Sequence, residues 1–191
     1  MDNSIIPISM RRSHWEYTTG TSGGASFMFV AGGGGQLKLK NPQGQEEKFG
    51  FGGIGVGAGF GARLPKIGKV NLNIRGKSVG ATGATEDFPA TGVVFVSDAL
   101  RDRDLTRDDI TGACAYVEVG GGVGIGYSGM VMLLGLDARL LALTLAMMST
   151  GGVHRFLPDL LKSARGALHM RGANVGVQAG GGGAIYVGGL F

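Results

Sequence analysis

The sequence predicts a mainly β protein. Its glycine-rich antiparallel sheet is strongly curved or closed into a small barrel of about six to eight strands. We also expect one to three short helices, one of them packed against the sheet. Three observations support this prediction. Glycine accounts for 39 of the 191 residues. These glycines alternate with apolar residues, which is the two-residue period of a strand and not the three-residue period of collagen. Hydrophobic residues make up 43% of the chain, too many for a disordered segment.

A chain of 191 residues is expected to fold as one domain. We predict a polar N-terminal arm over residues 1–25 and a single glycine-rich β domain over residues 26–191, with a helical insertion at about 137–166. The first apolar stretch is too short for a signal peptide because Arg11 and Arg12 interrupt it. We therefore expect synthesis in the cytoplasm, and secretion that needs no signal peptide stays open.

The first strand signals lie within residues 27–40 and 48–64. In the first segment, phenylalanines and leucines share one parity and lysines the other, which predicts a strand with one wet face. Between the segments, Pro42 and Gly44 favour a turn. The second segment alternates glycine with large apolar residues, but the alternation shifts by one residue at Gly52–Gly53. This shift predicts a β-bulge, because without one the large side chains would change face.

The alternation recurs at residues 116–127 and 174–190, and shorter strands are predicted at 70–79 and 92–97. Each glycine inside a strand costs about 0.5–1 kcal/mol relative to alanine. Close packing must offset this cost, so we expect a backbone, an aromatic ring or a helix to lie against the bare face, or the sheet to coil around a narrow lumen. The residues assigned to this face are Gly55, Gly57, Gly59, Gly120, Gly122 and Gly124.

Three segments are predicted to be helical. Residues 97–107 begin with a capping serine and have a thin apolar edge. Residues 137–149 are rich in leucine, alanine and methionine, which favours a buried helix capped by Asp137, with a hairpin over 129–148 as the alternative. Residues 157–162 carry a proline in the first turn. A membrane-spanning helix is not expected, because an aspartate and an arginine near the centre of the apolar run would be costly in lipid.

No motif predicts catalysis, and we predict neither a cofactor nor a metal. Ser22 lies in a G-x-S-x-G sequence, but the helix that a nucleophile elbow requires does not follow it. Two G-x-G-x-x-G sequences, at 50–55 and 124–129, lack the acid that a dinucleotide site places about 20 residues further on. Cys114 is the only cysteine, and its apolar surroundings predict a buried thiol. Glu118 is a polar residue among small ones and, if buried, needs a partner such as an arginine.

The charged residues give a formal net charge of +4, but the basic ones are scattered, so nucleic-acid binding is not expected. The segment 98–109 alternates acids with bases, which is typical of a solvated surface. We predict that this segment contributes to an interaction surface. Its candidate residues are Asp102, Arg103, Asp104, Arg107 and Asp108.

The preferred hypothesis is a non-enzymatic interaction protein whose rigid barrel-like domain engages a protein partner through the N-terminal arm and the 98–109 segment. One alternative is a membrane-active or non-classically secreted bacterial effector, which would rearrange its glycine strands and its leucine- and methionine-rich helix into lipid. A carrier of an elongated apolar ligand and an enzyme with no sequence signature stay open. Exposed sheet edges would favour self-association, so a homo-oligomer also stays open.

Overall fold

The structure, a computed structural model, describes residues 9–27, 30–63, 69–74, 77–82, 90–148 and 155–191. Within these residues the chain is dominated by antiparallel strands. The strands are β1 (Met10–Phe27), β2 (Val30–Lys40), β3 (Glu46–Arg63), β4 (Lys69–Ile74), β5 (Lys77–Thr82), β6 (Ala90–Ser97), β7 (Gly112–Leu136) and β8 (Gly166–Leu190). The helices are α1 (Arg107–Ile110), α2 (Ala138–Met148) and α3 (Leu157–Lys162), and a 3₁₀ turn covers Asp98–Leu100.

Six strands form one sheet in the order β3-β2-β1-β6-β8-β7, and β3 also pairs with β8. Strands β4 and β5 form a separate hairpin. Strand β8 pairs along its whole length with β7, while its other edge meets β6 through residues 166–172 and β3 through residues 178–190. The sheet is therefore closed through β8.

The direction of the strands shows how this closure works. Each step from β6 through β1 and β2 to β3 reverses direction, so β6 and β3 run oppositely. Because β8 is antiparallel to both, its two halves must also run oppositely, and the β7–β8 ribbon doubles back on itself. Val119 and Gly129, on the two arms of β7, consequently lie side by side: a Cβ on Gly129 would be 3.9 Å from the Val119 side chain. The ribbon supplies four segments and β1, β2, β3 and β6 supply the others, which confirms the predicted small closed antiparallel barrel.

One half of the barrel, the basal tier, is filled by a packed core. Trp15 and Phe49 meet edge to face with ring centroids 6.0 Å apart. Charged residues such as Lys40 and Lys48 alternate with these core residues and point outward. The core residues of this tier are Trp15, Leu37, Leu39, Phe49, Phe51, Val94, Val96, Leu105, Ile110, Cys114, Tyr116, Met130, Met132, Leu134, Leu168, Met170, Tyr186 and Leu190.

Helices α2 and α3 pack on the outside of the barrel. Asp137 caps α2 as predicted, because its Oδ1 accepts hydrogen bonds from the backbone of Arg139 at 2.8 Å and Leu140 at 2.9 Å. The hairpin alternative for 129–148 is wrong, since β7 ends at Leu136. No helix in the described ranges is long and apolar enough to cross a membrane. The second apolar cluster, between helices and barrel, consists of Leu133, Leu136, Leu141, Leu160, Ala164 and Ala167.

The structure corrects two further predictions. The helix expected over 97–107 is only the turn Asp98–Leu100 and the short α1, because side chains along this segment bond locally to backbone groups; Asp104, for example, accepts from the Leu105 N–H at 2.7 Å. The arm expected over 1–25 overlaps β1, whose Trp15 belongs to the core.

The β-bulge predicted at Gly52–Gly53 is also wrong. The pairing of β3 with both β2 and β8 runs through these glycines without a shift. The large residues therefore change face: Phe51 is buried, while Ile54 is 69% exposed. Register shifts occur elsewhere, including one between Val123 and Ile125. The barrel thus continues beyond Phe51 with its side-chain pattern inverted, and we call this half the glycine tier.

Candidate functional site

A contiguous apolar surface lies on the outside of the barrel where the glycine tier begins. We call it the apolar wall; its residues are Ile54 (69% exposed), Val117 (42%), Val119 (54%) and Ile185 (56%). Val117 and Ile185 are direct partners on β7 and β8, while Ile54 and Val119 each lie diagonally from Ile185, because their partners Val187 and Gly183 are two residues away from it. Direct partners lie about 5 Å apart and diagonal neighbours about 7–8 Å apart, so the four side chains form one patch across three strands.

The apolar wall continues the outer face of the β7–β8 ribbon, which α2 and α3 cover beside the basal tier. Ala113, Ala115 and Val187 occupy the same outward face of the β7–β8 ribbon and pack against the cluster beneath α2 and α3. The described helices do not extend past these residues, so Val117 and Ile185 are exposed. A contiguous exposed apolar patch of this kind marks a site of interaction with another apolar surface.

Glycines occupy the opposite, inward face of the same strands. Gly59 pairs with Gly182, which pairs in turn with Gly120, so one row across β3, β8 and β7 has no side chain at all. Gly61, Gly180 and Gly122 form the next such row. Of the other predicted glycine-face residues, Gly55 lies opposite Tyr186, Gly57 lies opposite Ala184, and Gly124 falls within the irregular stretch between Val123 and Ile125.

An aromatic layer separates the two tiers. The rings of Tyr116 and Tyr186 stack with centroids 4.6 Å apart, and Phe51 meets Tyr116 edge to face at 5.6 Å. A Cβ on Gly53 would lie 3.2 Å from the Tyr116 hydroxyl oxygen and 2.8 Å from the Val187 carbonyl oxygen. The glycines of β3 therefore make room for the rings. Sequence analysis missed this layer, although Tyr116 shares its strand parity with the buried Cys114.

The segment 98–110, which we call the basal clasp, is organised around Asp109. The side chain of Asp109 is 2% exposed and pairs with Arg103 at 2.5 Å and Arg165 at 2.6 Å. It also completes a capping box with Thr106. The hydrogen bonds donated by Arg103 hold the pKa of Asp109 well below its usual range, against the opposing effect of burial. Gly135, at φ 61°, sits against the Asp109 carbonyl, where a Cβ would collide.

Two of the five predicted interaction residues fasten the clasp to the barrel, and a third, Arg103, holds the clasp together internally. Arg103 pairs with Asp109, as above. Burial would raise the pKa of Asp104, but hydrogen bonds donated by Ser13, the His14 backbone and the Leu105 backbone lower it. Arg107 bonds Glu47 at 2.8 Å and lies 4.6 Å above the Phe49 ring. Asp102 and Asp108 are exposed on the surface of the clasp.

The two remaining singled-out residues lie on β7. Cys114 is buried, as predicted, and burial raises the pKa of its thiol to about 12. The backbone of Glu118 pairs with Ala184, but its side chain lies outside the described part of the structure.

Comparison with known proteins adds one relative. Neither a protein-family model nor a solved structure matches the chain. The chain is 50% identical over 196 aligned residues to the toxin protein Tse4 of Pseudomonas aeruginosa, and the alignment covers 100% of both proteins. Identity at this level over both full lengths places the chain in the family of the toxin protein Tse4.

Proposed function

We propose that the protein is a toxin that acts on lipid bilayers by inserting its glycine tier. The observation that carries this proposal is the inversion of the barrel: the apolar wall faces outward while glycine rows face inward. Barrels that span membranes have an outward apolar band and a polar interior, and the glycine rows place no apolar side chain in the interior. Membership of a toxin family supports a harmful activity.

The lengths of the strands fit this role. A membrane-spanning strand needs about 9–11 residues at a tilt of about 45°. Strand β3 continues from Gly53 to Arg63, which is 11 residues beyond the basal core (63 − 53 + 1). Burying a valine or isoleucine fully contributes about 1.5–3 kcal/mol, so the four half-exposed residues of the wall together favour insertion by several kcal/mol.

Helix α2 supplies a second apolar surface. Its inward residue Leu141 is buried, yet Leu143 and Leu145 on other faces are 37% and 38% exposed. Apart from Arg139 in the first turn and Thr144, whose hydroxyl donates to the Leu140 carbonyl, α2 is apolar on every side, which is typical of a segment that becomes surrounded by protein or lipid. In the proposed mechanism α2 binds the bilayer surface together with the apolar wall.

Release of an encapsulated dye from phospholipid vesicles tests the proposal. The wild-type protein is expected to release dye, and Val119→Lys or Ile185→Lys is expected to reduce release by about 30-fold, the factor for about 2 kcal/mol per buried lysine. Both positions are exposed in water, so circular dichroism should show unchanged folding. Gln43→Lys adds the same charge at the exposed β2–β3 turn and should release dye like wild type. Failure of the wild type to release dye, or equal release by the wall variants, would refute the proposal.

The basal clasp supports a second candidate function, engagement of a protein partner. Arg103, Asp104 and Arg107 fix the backbone that carries Asp102 and Asp108, and neither of these two forms an ion pair within the described ranges. Two preorganised exposed carboxylates suit a partner with a basic surface. Size-exclusion chromatography with proteins co-purified from the native source tests this: Asp102→Lys/Asp108→Lys should abolish a complex that wild type forms. A complex that survives the reversal excludes this surface.

A further inference from the structure

Two lysines face each other directly on the outside of the basal tier. Lys38 on β2 and Lys48 on β3 are register partners. Their neighbours Leu37 and Phe49 point into the core, so both lysines point outward. Like charges placed directly opposite one another on a sheet destabilise it. The fold therefore retains an unfavourable contact at this position.

Nearby acids compensate this pair only weakly. Glu46 Oε1 lies 4.0 Å from the Lys38 ammonium, at the limit of an ion pair. Glu47 is bound to Arg107 at 2.8 Å, and Lys48 has no ion pair in the described part of the chain. Lys40, the next outward lysine on β2, is different, because Glu16 and Glu46 are its register partners on either side. The pair Lys38–Lys48 is thus a local excess of positive charge.

The position of the pair relative to the apolar wall indicates its partner. Ile54 lies six residues beyond Lys48 on β3, and its partner Gly32 lies six residues from Lys38 on β2. Six residues span about 20 Å of strand, or about 14 Å of height at a tilt of about 45°. When the wall lies in hydrocarbon, both ammonium groups stand at the level of the headgroups.

We propose that Lys38 and Lys48 together bind the phosphate of an anionic phospholipid headgroup and thereby fix the depth at which the barrel inserts. The inference rests on the proposed membrane activity. A phosphate between the two ammonium groups accepts hydrogen bonds from both and replaces their repulsion with attraction. Lysine supplies about 1 kcal/mol of attraction to an anionic membrane surface, which corresponds to about fivefold in partitioning per residue.

Flotation with vesicles tests this inference. The probes are vesicles of phosphatidylcholine alone and vesicles in which a third of the lipid is phosphatidylglycerol. We expect wild type to partition more strongly to the anionic vesicles, and the excess to shrink as salt is raised. In Lys38→Gln/Lys48→Gln, the ratio between the two partition coefficients should fall by about 25-fold. Lys40→Gln, which removes one positive charge flanked by acids, should lower this ratio far less.

The outcomes separate the two proposals. If the double variant keeps the wild-type ratio, or if Lys40→Gln lowers the ratio as much as a single Lys48→Gln, the lysine pair is not the headgroup site. If the wild type binds anionic vesicles through the pair but releases no dye from any vesicle, the proposed membrane disruption fails while the headgroup site stands. The double variant should unfold at no lower temperature than wild type, since it loses a repulsive contact. If its unfolding temperature drops strongly, flotation is repeated with Lys48→Arg. This variant keeps the positive charge and should retain the wild-type ratio of partition coefficients.

Discussion

Arg165 donates from Nη1 to Oδ1 of Asp109 at 2.6 Å and joins the residue just before β8 to the helix just before β7. These two residues are 56 positions apart in sequence. The Arg165 backbone N–H also donates to the Leu134 carbonyl at 3.0 Å. Arg165 therefore ties the end of the helical segment to β7 through its backbone and to the basal clasp through its side chain.

Asp109→Ala is expected to destabilise the protein by about 2–3 kcal/mol. It leaves two guanidinium groups without their shared carboxylate and removes the carboxylate half of the α1 capping box. The half-exposed arginines regain water, which lowers the cost below that of a fully buried pair. Urea denaturation measures the change. Asp108→Ala is the matched control one residue away, and its effect should stay within about 0.5 kcal/mol because the carboxylate is exposed.

Stability should fall in acid and not near neutrality. The folded pKa values of Asp104 and Asp109 are both lowered, so the unfolded chain binds more protons. Their contribution is fully present above the unfolded pKa of about 3.9 and is lost as the pH falls through the folded values. Thermal unfolding should show no loss from this source between about pH 5 and pH 8. In Asp109→Asn the decline below about pH 4 should be shallower; an unchanged decline would mean that other carboxyls cause it.

Gly53→Ala is expected to destabilise the fold by about 1–3 kcal/mol, because a Cβ there meets the Val187 carbonyl oxygen at 2.8 Å. Gly129→Ala is the matched control, since its nearest contact would be an ordinary 3.7 Å from the Met170 carbonyl oxygen. Without a clash, alanine at a strand position should be neutral or stabilising by up to about 1 kcal/mol. Equal effects in chemical denaturation would contradict the close approach of β3 to β8.

The Cys114 thiol should be almost inert toward maleimide at pH 8 in the folded protein. Burial raises its pKa to about 12, and the thiolate is the reactive form. Labelling should become complete in urea. Gln43→Cys places a second thiol on the exposed turn and should label within the native protein; rapid modification of Cys114 itself would show that the base of β7 opens readily.

The alternation of glycine with apolar residues predicted β3 and parts of β2, β7 and β8, because period two specifies a strand directly. It did not predict β1, which lies largely in the expected arm, or the pairing of β4 with β5, where a single strand was expected at 70–79. It could not decide which face is inside. We assumed that Phe51 and Ile54 share a face and inferred a bulge, but the barrel instead exposes Ile54. At this level the tyrosine layer occupies the interior of the barrel. Its two rings come from strands far away in sequence, so local spacing in β3 does not reveal it.

The basal clasp illustrates a similar limit. The spacing of Thr106 and Asp109 is that of a capping box and could have predicted α1. The second arginine, Arg165, could not be found from local spacing because it comes from beyond α3. Helix α2 was predictable, since composition and a local cap determine it.

Closure of the barrel joins residues that are synthesised far apart in time. Phe51 pairs with Leu190, a separation of 139 positions (190 − 51), so the ring cannot form until Leu190 has been translated. Contacts this distant along the chain slow folding. A newly made molecule therefore spends an extended interval with β3 unpaired on one edge, and removal of residues 178–190 would leave that edge open.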